Sequence, residues 1–184
     1  MDKKILLDKV VMVSDPCYQD PTWCQVKLEN VKPGYYNVFS KDHDCGPWGI
    51  RKSMLLAVHE DYINKNLRWE EHPGEIGVDS GQAGIFAYDT YQNDNYEFDT
   101  PQLNTPFVLP FERDGDKWYG RICNFTLGDE SWGAYDKGVV SSSGIGDGAY
   151  TLYTAEYRGK VVAMAIDFGV EEEPVIDFKF YETV

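Results

Sequence analysis

Val161-Val162-Ala163-Met164-Ala165-Ile166 is apolar at every position, and its neighbours make it half of a hairpin. Ala149–Tyr157 precedes it and Arg158-Gly159 supplies the turn, so Lys160–Phe168 returns as an antiparallel partner. A strand without polar alternation has both faces covered. It therefore sits centrally in a sheet or lies under a second layer. Most of the remaining chain reads in the same way. Ile5–Val13, Val26–Val31, Tyr35–Ser40, Ile50–His59, Glu75–Val78 and Gly84–Tyr88 are short extended runs separated by Gly, Pro, Asn and Asp. Ile50–Tyr62 also fits a helical spacing through Leu55, Val58, His59 and Tyr62; the extended reading is adopted through His59, with a loop or helical turn after it. Asp114-Gly115-Asp116 reads as a hairpin turn feeding a strand over Lys117–Leu127. Phe107-Val108-Leu109 reads as a brief return to the sheet, and Pro174–Tyr181 as a terminal edge strand after the acidic Glu171-Glu172-Glu173. No helix longer than ten residues is expected. The fold class is mainly β: one compact antiparallel domain over residues 1–184, a two-layer sandwich or barrel-like, with little helix.

Composition agrees. Aromatics make up 15% of the 184 residues, with 13 Tyr and 5 Trp, and flat rings pack well on pleated surfaces. A chain this long buries a core without staples. Cys17, Cys24, Cys45 and Cys123 match no dense disulfide scaffold, which favours reduced thiols and a cytoplasmic location. No apolar run approaches the length of a membrane span, and the amino end has no secretory h-region, so no membrane association is expected. Seventeen basic against 31 acidic residues give a net charge of −14, which repels nucleic acid. No oligomeric state is specified.

The chemistry-bearing residues gather in three stretches at strand ends: Ser14-Asp15-Pro16-Cys17-Tyr18, Asp79-Ser80-Gly81-Gln82 and Ser143-Gly144-Ile145-Gly146-Asp147-Gly148. Each joins a carboxylate and a hydroxyl to small residues. The glycines of the third permit left-handed backbone and expose N–H groups that would receive an anion. It is neither a dinucleotide fingerprint nor a Walker A loop, because a strand follows. Asp15, Asp79, Ser80 and Asp147 are the catalytic candidates. Ser80, Gln82, Gly146 and Asp147 are the ligand-binding candidates, and Asp15, Asp79 and Asp147 the candidates for a cation. Each has a plainer reading as a turn residue. Ser80 lacks a nucleophile-elbow context, and His43, His59 and His72 lack an assured partner. Cys17 has Asp15 and Asp20 nearby, which disfavour a thiolate. Cys17, Cys24, Cys45 and His43 lack zinc-knuckle spacing. Asp89–Pro110 is the longest irregular stretch; Tyr91, Tyr96 and Phe98 there would either pack inward or contact a partner.

Val11–Tyr18, Ile76–Gly84 and Gly146–Tyr150 resemble motifs of small bacterial and phage proteins, the nearest family being domain of unknown function 4241. That resemblance implies a compact β-rich domain, phage-encoded in some members, and brings no catalytic residues with it. No matched base, nucleophile and orienting group is present. The expected function is accordingly non-enzymatic: a protein-interaction or regulatory domain directed at a bacterial or host protein. No cofactor is expected for that role. The alternative is a hydrolase dependent on a divalent cation, or a small-ligand binder, built on the Asp/Ser/Gly loops.

Overall fold

The computed structural model describes residues 3–105, 110 and 112–172. Two antiparallel sheets pack face to face. The larger sheet has the order β1-β4-β5-β11-β10-β6. Its strands are β1 (Lys4–Leu7), β4 (Gly34–Asp44), β5 (Ile50–His59), β6 (Trp69–Val78), β10 (Gly148–Tyr157) and β11 (Lys160–Asp167). The smaller has the order β3-β2-β7-β9-β8. It is built from β2 (Val11–Ser14), β3 (Val26–Leu28), β7 (Gln82–Ala87), β8 (Trp132–Tyr135) and β9 (Gly138–Ser142). This is the two-layer alternative of the expected class, and no barrel closes among the described residues.

The apolar run of β11 behaves as its sequence requires. It lies between β5 and β10, and Val161–Ile166 are buried throughout. Met164 and Ile166 enter the core between the sheets, with Leu55, Ala57, Leu152 and Ile85. Ala163 and Ala165 cover the opposite face with Met54, Leu56 and Val58. Arg158 (φ 51°) and Gly159 (φ 74°) form the turn, and Tyr157 faces Lys160. Left-handed backbone at both positions matches the strand twist of a two-residue hairpin. β5 runs through His59 and ends in a single helical turn at Glu60–Tyr62.

Three expectations are corrected. Ile5–Val13 is not one strand: β1 and β2 belong to different sheets, so the chain crosses layers at 8–10. β4 runs past Ser40, where the extended run was expected to end, to Asp44, because its carbonyls and amides pair with β5. The third is the largest. Asp116–Leu127 is an α-helix, α1, and not a strand. Trp118, Ile122 and Phe125 recur at helical spacing and are all buried. Gly115, with φ 93°, begins the helix where a hairpin turn was expected.

α1 packs on the outer face of the smaller sheet, against Phe86 and Val140. Their neighbours Ile85 and Val139 point into the intersheet core, as the two-residue period demands. Close approach requires Gly133 in β8, where a Cβ would lie 2.3 Å from Cδ1 of Phe125. No helix among the described residues is long and apolar enough to cross a membrane. The readings at Phe107-Val108-Leu109 and Pro174–Tyr181 lie outside the described residues.

Candidate functional site

The three motif loops converge. Asp15, at the end of β2, is fully buried and acts as the hub. One carboxylate oxygen accepts from the Asp79 N–H at 2.9 Å and the Ser80 N–H at 2.7 Å. The other accepts from Ser80 Oγ at 2.6 Å and the Cys17 N–H at 2.8 Å. The next amide, Gly81 N–H, donates to Asp147 at 2.9 Å, and Gly81 C=O accepts from Ser143 N–H at 3.0 Å. Tyr18 Oη donates to Asp79. The chain is thus pinned from β2 through the β6–β7 turn to the β9–β10 loop. A buried carboxylate is tolerable because charge-assisted bonds replace its hydration.

The convergence does not bring the carboxylates together as a ligand set. Asp15 is occupied by amides and a hydroxyl, while Asp79 and Asp147 are exposed. Among the described residues, no three His, Cys, Asp or Glu side chains are grouped to hold a metal ion. Gln82 is buried and turned toward α1: its amide nitrogen donates to Cys123 Sγ at 3.2 Å, and its oxygen accepts from Thr126 Oγ1 at 2.8 Å. It ties the helix to the sheet. Ser80 Oγ gives its proton to Asp15. His43 lies by Glu171, His59 contacts Pro33 C=O, and His72 accepts from Gly74 N–H, so each histidine is engaged away from Ser80. Burial and the neighbouring Asp15 push the Cys17 thiol far up, and burial raises that of Cys123, so both stay protonated near neutrality.

The aromatic candidates are used internally. Tyr91 packs on Phe86 and Trp118, with its hydroxyl on the Tyr18 carbonyl at 2.7 Å. Phe98 stacks on Tyr135 at 4.1 Å, and Tyr96 donates to Asp136. Their rings fasten the irregular segment over α1, the inward-packing alternative of their sequence reading.

A cleft of about 550 Å³ opens beside the hub. Gly81, Ser143, Gly144 and Gly146 form one wall, and Arg51, Lys52 and Asp129–Trp132 stand around the remainder. Two isoleucines face it from different elements: Ile145, 61% exposed at the tip of the β9–β10 loop, and Ile50, 64% exposed at the start of β5. Trp48, 64% exposed, stands two residues from Ile50, and its carbonyl accepts from Arg51 Nε at 2.8 Å. Lys52 pairs with Asp42 at 2.8 Å, and Lys3 with Glu130 at 2.6 Å while lying over the Trp132 ring. The Ile145 loop is firmly held. Ser143 C=O accepts from the Gly146 N–H, Ser143 Oγ donates to the Gly146 carbonyl, and Tyr150 Oη donates to the carbonyls of Ser143 and Gly146. Gly144 is left-handed at φ 56°, and a Cβ there would meet Phe168 O at 2.9 Å.

Sequence reasoning found the loop and missed its cargo. The available signal was a large apolar residue inside a turn otherwise made of Ser, Gly and Asp, which a turn alone does not require. Comparison with protein-family models, curated proteins and solved structures returned no match for this chain.

Proposed function

We propose that this chain is a non-catalytic protein-binding domain that docks another protein at the cleft rimmed by Ile50 and Ile145, with the exposed Trp48 two residues from Ile50. The observation that carries this reading is Ile145. A hydrogen-bonded loop, tied to the buried Asp15 through Ser80, Gly81 and Asp147, holds an isoleucine out in water on the same cleft as the exposed Ile50. Burial of each on docking releases water-exposed apolar area worth about 25 cal/mol per Å². The pinned loop has little conformational freedom left to lose, so more of that gain appears as affinity. A net charge of −14 steers a partner with a basic surface toward the chain. The protonated thiols and the Ser80 hydroxyl without a histidine partner fit a binding role better than nucleophilic catalysis.

Immobilised protein should retain a discrete basic protein from a bacterial lysate. A folded Trp48→Ala, Ile50→Ser, Ile145→Ser variant should lose it, while Tyr35→Ser, an exposed residue on β4, should not. Equal retention by the triple variant would remove the cleft from the account.

A further inference from the structure

Trp23 is the most exposed large apolar side chain among the described residues, at 89%, and it stands in the loop before β3, away from the residues of the Ile145 cleft. It lines a separate concavity of about 500 Å³ with Glu71, His72, Pro73, Gly74, Glu75 and Thr151. The floor is an irregularity in β6, the edge strand of the larger sheet. β6 passes from Glu71 to Glu75 while its partner passes only from Tyr153 to Thr151. His72-Pro73-Gly74 therefore bulge from the ladder, and a bulge re-aims the side chains around it. In a regular strand two residues four apart are separated by ~13 Å; here the backbones of Glu71 and Glu75 oppose residues only two apart, a span of ~7 Å.

Both carboxylates are exposed, and neither side chain has a hydrogen bond or ion pair among the described residues. Glu70, next along, is already paired with Arg68 at 3.2 Å. His72 is turned to its own strand, its Nδ1 accepting the Gly74 N–H at 3.0 Å. The loop carrying Trp23 is anchored to the same strand: Cys24 C=O accepts from Gly77 N–H at 3.0 Å, and a Cβ on Gly77 would meet Cys24 Cβ at 2.7 Å. An open indole face and two unpaired carboxylates brought close by a bulge thus share one concavity.

We propose that this concavity is a second recognition site, which takes the guanidinium of an arginine side chain presented by a partner protein. A guanidinium is planar, stacks on an indole and offers N–H pairs along two edges to two carboxylates. An ammonium fills the same charge requirement without the stack or the fork. A phosphate or nucleic acid is repelled, and an apolar side chain would leave the carboxylates unanswered.

The test is a titration of the intact protein with a blocked glycine–arginine–glycine peptide, followed on the indole N–H resonances in nitrogen-edited NMR spectra, with Trp23 assigned from Trp23→Phe. The arginine peptide should shift the Trp23 resonance saturably. Its citrulline counterpart should not, and the lysine counterpart should bind several-fold more weakly. Glu71→Gln combined with Glu75→Gln should weaken the arginine peptide at least tenfold, and Ile145→Ser should leave it unchanged. These exposed positions tolerate substitution, and unchanged dispersion of the remaining indole resonances verifies the fold. An unmoved Trp23 resonance, an equal response to citrulline, or full binding by the double glutamine variant would each overturn the proposal. Binding lost in Ile145→Ser would overturn its independence from the cleft.

Discussion

Asp15 governs the site at the scale of single residues. Its side chain replaces bulk water for the amides of Cys17, Asp79 and Ser80 and for the Ser80 hydroxyl. Asp15→Ala strands part-buried donors at the junction of two loops and removes their charged acceptor, and its expected cost is about 3 kcal/mol in urea unfolding. Ser80→Ala removes a single bond and should cost ~1 kcal/mol. A cost for Asp15→Ala no larger than that for Ser80→Ala would show that the hub does not hold the loops. The sequence marks Asp15, Asp79, Ser80 and Asp147 as a set, because small residues and carboxylates at strand ends stand out. Their chemistry was less legible. Whether a carboxylate meets another carboxylate, a cation or an amide depends on how separate strands are registered, and three of these loops meet only once both sheets are assembled.

Among elements, α1 is the informative one. Its first turn is capped from a distance: Asp94 accepts the N–H groups of Gly115 at 2.8 Å and Trp118 at 2.9 Å. Asp116 accepts the N–H groups of Arg113 at 2.8 Å and Glu112 at 3.0 Å. No local cap announces this helix, and Asp114-Gly115-Asp116 looks the same before a hairpin or a helix. The capping residue comes from the irregular segment, whose asparagines, aspartates and aromatics have this packing and capping as their purpose. The central hairpin, by contrast, was legible because its signals are local: a two-residue turn and an uninterrupted apolar run. Arg113's N–H, working against burial, holds the Asp116 carboxyl below the ordinary aspartate value of 3.8. A carboxyl depressed in the folded state stabilises it above the unfolded-state value, and that contribution fades as pH falls through the lower, folded-state value. Wild type should therefore exceed Asp116→Asn in stability at neutral pH, with the gap closing below pH ~4, as read by urea unfolding across a pH series. A gap constant down to pH ~2 would contradict this origin.

At the scale of the whole molecule, the described residues form a sandwich that carries a helix on one outer face and directs polar loops to its strand ends. Its core explains stability; its exposed tryptophans and isoleucines, which the core does not use, are where function is proposed. The hub, the pinned β9–β10 loop and the apolar rim form one chain of cause, from a buried carboxylate to a displayed Ile145. Photo-crosslinking from position 145 tests it most directly, with a benzophenone amino acid placed there in the intact chain and, as a control, at Tyr35. Irradiation in bacterial lysate should yield one discrete protein adduct from position 145 and none of that mass from position 35. No adduct from position 145, or the same adduct from both, would contradict the claim that the cleft is a protein-docking site.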